Sequence, residues 1–185
     1  MDSMTHQPPE SEFSALAADP LGWWLAEHER HRALCALMES VARSPDYQPE
    51  AVVRLITFLH SDLPLHAQEE EEDWFPRLRA RARRGDDFEG TITATAADHG
   101  RGSHDIAAIL PGLQACEKAQ RSPFHDADLA HRMIEMARRE RQHLAMENAV
   151  LIPIARIRLT AGDRQAIARA IIARRARGDK PQSAQ

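Results

Sequence analysis

Six residues of this chain have the types and spacing to hold a pair of metal ions. His28 follows Glu27, and further on His66 is followed by Glu70 within HAQEEEEDWFP. The second half repeats the arrangement. His99 follows Asp98, then His143 is followed by Glu147 within HLAMENAVLIP, and in both halves a proline (Pro76, Pro153) stands ten positions past the second histidine. An i,i+4 spacing sets imidazole and carboxylate side by side on one helix face. One such pair is an ordinary surface contact. Two of them, each with a lone histidine upstream, supply what a dinuclear metal site inside a four-helix bundle needs.

Helices must position these groups, and the sequence marks where they run. Asp19-Pro20 reads as N-cap and first turn of a helix reaching about Arg43, where Ser44-Pro45 stops it. A second helix is expected from Glu50 to about Arg84, with Gly85 as its stop. A third begins near Asp87 to Thr91 and carries at least to Leu110, where Pro111-Gly112 kinks or ends it. Ser122-Pro123 caps a fourth, reaching about Leu159, and Asp163 opens a short fifth that ends before Gly178. The expected domains are a flexible arm over 1–18, a bundle over 19–160, a C-terminal helix over 161–177 and a disordered tail over 178–185.

Apolar periodicity then places the candidate ligands. The stripes are Trp24, His28, Cys35, Met38 on the first helix and Leu55, Leu59, His66, Glu70, with Phe75 or Leu78, on the second. They continue as Ile92, His99, Ile106, Leu113 on the third and Met133, Met136, Glu140, His143, Glu147, Val150, Ile154 on the fourth. Each candidate falls inside an apolar seam. A charge in a bundle core is costly unless it is paired or binds a metal, so six polar groups converging there call for cations.

Composition agrees and excludes other classes. A chain of 185 residues suits one domain, and eight glycines with 5% aromatics fit helices better than a β-sandwich. Net charge is −4 with no basic stripe, which speaks against nucleic acid. No apolar run approaches the roughly 20 residues needed to span a bilayer. The N-terminal segment lacks a basic start and an apolar stretch, so no signal peptide is expected and the location reads as cytoplasmic. Cys35 and Cys116 stand far apart in no redox or metal spacing and read as reduced thiols.

Over about residues 20 to 158 the pattern resembles the hemerythrin-like (HHE cation-binding) family. DLPLHAQEEEEDWFPRL is similar to that family's second-helix motif and HLAMENAVLIP to its fourth. The resemblance implies an all-α, up-down-up-down four-helix bundle holding two non-haem irons. His28 and His66 would serve one iron and His99 and His143 the other, with Glu70 and Glu147 bridging; zinc and manganese also tolerate such ligands. Oxygen-carrying hemerythrins have a further histidine four residues after the third-helix ligand, where this chain has Ser103, and an aspartate five after the fourth-helix histidine, where it has Asn148. Two histidines and two bridging carboxylates give each metal four ligands, and an oxo or hydroxo bridge gives five. Both six-coordinate irons would keep an open position, which speaks against plain oxygen transport.

The functions that follow are binding, sensing or scavenging of dioxygen, nitric oxide or peroxide, or handling of iron itself. The alternatives are a di-iron oxidoreductase acting on peroxide or nitric oxide, repair of iron centres, and a bundle with a purely structural metal. The reading favours a binding protein over an enzyme, monomeric or homodimeric, with no nucleic acid or membrane partner. Around the site, His31 competes as a ligand and His104 points away. Glu71 could reach a neighbouring histidine, and Glu140 could accept a proton from one. The rest of Glu69–Asp73 reads as a wet face, and Trp23, Trp24 and Trp74 as core at the bundle end. Pro64 is expected to kink the second helix. Gly100 and Gly102 either open a channel or allow close helix packing.

Overall fold

The computed structural model describes residues 10–177, which form six helical rods and no strand. The first two are α1 (Glu10–Ala18) and α2 (Pro20–Arg43). A rod over 49–80 is built from α3 (Pro49–Thr57), α4 (Leu63–Glu69) and α5 (Phe75–Ala80). Then come α6 (Glu89–Ala119) and a rod over 127–158 made of α7 (Ala127–Met146) and α8 (Ile152–Arg158), and last α9 (Ala161–Arg177). Short connections between α2, the 49–80 rod, α6 and the 127–158 rod make successive rods antiparallel neighbours. The expected arm is thus helical over its second half, with Leu16 buried. Its beginning and the expected tail lie outside the described residues.

Three prolines shape the two composite rods. Pro64, Pro76 and Pro153 each stand six residues after the start of a wide turn, at Phe58–Asp62, Glu70–Trp74 and Glu147–Leu151. In these turns Leu63, Phe75 and Ile152 donate their N–H groups five residues back, to the carbonyls of Phe58, Glu70 and Glu147. A proline ring clashes with the carbonyl four residues before it, and an extra residue in the turn moves that carbonyl aside without breaking the rod. Pro64 therefore produces a widened turn. The added residue also shifts the seam by one place: beyond Glu147 the buried positions are Leu151, Ile152 and Ala155, whereas Val150 and Ile154 are half-buried.

Several boundaries differ from expectation for local reasons. The 49–80 rod stops at Ala80, and Gly85 (φ 95°) instead turns the following loop. Pro111 does not end α6, because the carbonyl it leaves without a donor, that of Ala107, lies on the exposed face where water can serve it. Gly112 is needed there for close approach, since a Cβ would sit 2.9 Å from Leu129 Cδ1 on α7. Ser122 caps only the short turn Pro123–His125, while Asp126 accepts from Leu129 N–H and caps α7. Asp19 makes no side-chain cap bond.

Two apolar clusters fill the bundle. One holds Cys35, Met38, Leu55, Leu59, Leu113 and Met133; the other holds Trp24, Trp74, Phe75, Ile92, Leu151 and Ile171. The candidate ligands belong to neither, and on every rod they fall between the two. Helix α9 completes the second cluster and clamps the acidic run. Arg175 donates from Nε and Nη2 to the two Glu69 oxygens, both at 2.7 Å, and lies over the Trp23 ring. Arg174 pairs with Asp73 and Glu72. The run Glu69–Asp73 is thus not a wet face: Glu69 is fully buried, and only Glu71 and Glu72 remain substantially exposed.

Candidate metal centre

The candidate side chains come from four long rods, and all six meet in one layer that is buried except at His99, which is partly exposed. His28 on α2, His66 on α4, and Glu70 and Glu147 at the starts of their wide turns form one cluster. Glu70, Glu147, His99 on α6 and His143 on α7 form the other. Within each cluster the possible ligand atoms lie within 4.8 Å of one another. Both carboxylates belong to both clusters.

The oxygens of each carboxylate divide between the clusters. Glu70 Oε1 lies 3.2 Å from His66 Nε2 and 3.8 Å from His28 Nε2, while its Oε2 lies 3.0 Å from His99 Nε2. Glu147 Oε2 lies 3.4 Å from His28 Nε2, and its Oε1 lies 3.4 Å from His143 Nε2. His28, Glu70 and Glu147 are fully buried. Yet His28 Nε2, His66 Nε2, His99 Nε2, Glu70 Oε2 and both Glu147 oxygens have no well-formed hydrogen bond. Buried polar groups left unsatisfied cost free energy, and here the unsatisfied atoms are lone-pair donors aimed at common points. The donor set fits cations.

The electrostatics point the same way. Burial pushes the Glu147 carboxyl well above the ordinary carboxylate range, and the neighbouring Glu70 and Glu140 carboxylates push it further. Burial also works to raise Glu70, but the imidazoles of His66, His28 and His99 outweigh it and hold that carboxyl well below the range. Burial, only partly offset by Glu70, takes His66 down to about 4. Burial works to lower His99, but the Glu70 and Glu71 carboxylates close to its two ring nitrogens outweigh it and take it up to about 9. The layer therefore shares out positive charge through protons, and cations would supply the same charge through ligation.

The outer ring nitrogens are held by residues that follow the shared carboxylates. Glu71 Oε1 lies 2.7 Å from His99 Nδ1, and Asn148 Oδ1 lies 2.6 Å from His28 Nδ1. With Nδ1–H donating to these oxygens, Nε2 is the nitrogen left to face a cation in the layer. Asp98 Oδ2 lies 3.8 Å from His143 Nδ1, while His66 Nδ1 has no hydrogen-bond partner among the described residues. Trp24 is more than core, since its Nε1–H donates to Glu70 Oε1 at 3.0 Å.

The competitors separate. His104 is exposed and outside both clusters, and Ser103 is exposed with its hydroxyl donating to the His99 carbonyl. His31 is fully buried but also outside the clusters. Its ring packs 4.6 Å from that of His66, and its Nδ1 lies 3.8 Å from Glu140 Oε1. A Cβ on Gly100 or Gly102 meets no atom within 4 Å, so neither glycine serves close packing. Gly102 instead helps line a cleft between α6 and α7, beside Asp98, Met136, Glu140 and His143.

Residues 19–155 match the model of the hemerythrin HHE cation-binding domain. The chain belongs to that family. No curated protein and no solved structure matches it. Membership, the helical bundle and the His/Glu layer are together compatible with metal binding. Sequence reasoning missed the roles of Trp24 and Asn148 in this hemerythrin-like site. Asn148 carries a signal in hindsight, because it follows Glu147 as Glu71 follows Glu70. Trp24 carries none, since an indole on a buried seam reads as core. Among the described residues no helix is long and apolar enough to cross a membrane.

Proposed function

We propose that this hemerythrin-like protein holds two non-haem irons, one between His28 and His66 and one between His99 and His143, with Glu70 and Glu147 shared, and that it binds, senses or scavenges a small molecule such as dioxygen, nitric oxide or peroxide. The observation carrying this reading is the division of each carboxylate's oxygens between two histidine pairs. A single metal would need only one cluster, and a purely structural metal usually has a closed shell of Cys and His. Here two imidazoles and one oxygen from each of two carboxylates leave room for outside ligands on both metals. Mixed imidazole and carboxylate donors suit iron.

The chain's own residues set the conditions. Glu71 and Asn148 fix the ring orientation of His99 and His28, Trp24 restrains Glu70, and the two apolar clusters keep bulk water from both ends of the layer. Irons held there would supply reversible ligand binding or electron transfer to the bound molecule. The test is metal content and optical spectrum of protein purified without oxygen, then exposed in turn to oxygen, nitric oxide and peroxide. Two irons per chain and a reversible spectral response to oxygen or nitric oxide support the reading. Fewer than two metals, or no response to any of the three, overturns it, and sustained consumption of peroxide would make the protein an enzyme.

A further inference from the structure

The two halves of the layer are not equivalent. Around His66 the wall is closed: Trp24 and His31 lie 5.3 and 4.6 Å from its ring, Phe58 backs His31, and Trp74 backs Trp24. All four are essentially without solvent contact, as are His28 and His66 themselves. The other half reaches the surface. His99 and His143 keep 10% and 5% side-chain exposure, and His143 lines the α6–α7 cleft, whose volume is about 20 Å³. A water-sized molecule needs roughly 10–15 Å³ of such space, so the cleft has room for a small molecule.

The polar surroundings differ as well. Carboxylates of partly exposed residues, Glu71 and Asp98, face the Nδ1 atoms of His99 and His143. On the closed side His28 Nδ1 has the neutral Asn148 amide, and His66 Nδ1 has no hydrogen-bond partner among the described residues. In the cleft Arg101 is paired with Asp98 and Arg139 with Asp105, while Glu140 Oε1 has no hydrogen-bond partner. Paired arginines offer an anion little, and a carboxylate left over repels it. The cleft therefore suits an uncharged ligand.

We propose that a small uncharged ligand reaches the centre through the α6–α7 cleft beside Gly102 and binds on the His99/His143 half, the His28/His66 half being closed to it. This rests on the two-metal reading above. Gly102 lines this cleft together with His143, and a Cβ there would meet no atom of the described residues within 4 Å, so the glycine leaves its edge of the cleft open.

The probe is nitric oxide, added to the iron-loaded full chain and followed by stopped-flow absorbance, with metal content measured for every variant. Gly102→Leu, whose Cβ meets no atom of the described residues within 4 Å, adds a branched side chain to the cleft lining and should slow nitric oxide binding by about tenfold or more, since close packing leaves no detour. Gly102→Ala, which adds a single methyl, should slow it less. Gly100→Leu, on the same helix but outside the cleft lining, should bind at the wild-type rate. A crystal of the iron-loaded protein treated with nitric oxide should place the ligand on the metal between His99 and His143. Unchanged rates in both Gly102 variants, equal slowing by Gly100→Leu, or nitric oxide on the metal beside His66 would each overturn the inference while leaving the two-iron reading intact. A wild-type chain that binds no metal would overturn that reading and this inference with it.

Discussion

Glu71 and Asn148 occupy equivalent places: each follows a shared carboxylate at the start of a wide turn, and each takes the outer nitrogen of the lone histidine from the opposite half of the chain. Glu71 from the first half holds His99 of the second, and Asn148 from the second half holds His28 of the first. The two halves thus brace each other across the bundle through residues one step past their carboxylates. The equivalence stops at chemistry, because one brace is an anion and the other a neutral amide.

The first expectation follows from that brace. Asn148→Ala should leave the fold intact and weaken metal affinity by about 10- to 100-fold, the usual effect of losing a partner that orients a ligand imidazole. Metal titration with a competing chelator measures it. Asn148→Asp should retain metal, since a carboxylate oxygen accepts the same Nδ1–H. Affinity unchanged in Asn148→Ala would show that His28 needs no orientation from this side chain.

A second expectation concerns the layer itself. His66→Ala removes a donor from one cluster, whereas Glu147→Ala removes an oxygen from both. His66→Ala should therefore lower metal content, and Glu147→Ala should lower it further. His104→Ala should leave it at the wild-type level, because that side chain is exposed and outside the clusters. Elemental analysis after anaerobic loading decides the order.

The bundle and the meeting of the six candidate residues were legible because both rest on period. Spacing of 3.6 residues put His28, His66, Glu70, His99, His143 and Glu147 on apolar seams, and all six meet in the structure. What period could not carry was any departure from it. The wide turn after Glu147 moved burial from Val150 and Ile154 to Leu151 and Ala155, and only Pro153 hinted at it. Nor could period foresee where the expected fifth helix, α9, would dock. Glu69 reads as a solvated charge until Arg175, 106 residues away, arrives to pair with it.

The loop after the 49–80 rod sets a pH dependence. Asp86 accepts from Arg158 and from Arg83 N–H, and these bonds hold its carboxyl down to about 2 from an ordinary 3.8. A carboxyl lower in the folded state than in the unfolded one stabilises the fold above the unfolded value. That contribution is fully present above about pH 4 and is lost as pH falls toward 2. Asp86→Asn should thus lower Tm at neutral pH and flatten the fall of Tm between these values. Parallel Tm-against-pH curves for the two proteins would contradict the assignment.

The Glu69–Arg175 pair is the strongest test of α9 as part of the domain. Both partners are largely buried, and the two hydrogen bonds run oxygen to nitrogen in the fork geometry that suits arginine and carboxylate. Arg175→Met keeps most of the side-chain volume over Trp23 but leaves Glu69 buried beside Glu27 without its principal partner. Removing one member of a buried pair costs about 3–5 kcal/mol, whereas replacing both with apolar groups of similar size is often neutral or stabilising. Arg175→Met should therefore shift the guanidinium unfolding midpoint sharply downward, and Glu69→Leu combined with Arg175→Met should recover most of the loss. If α9 were only an appended helix, the single substitution would leave the midpoint of the bundle unchanged, and the double substitution would have nothing to restore.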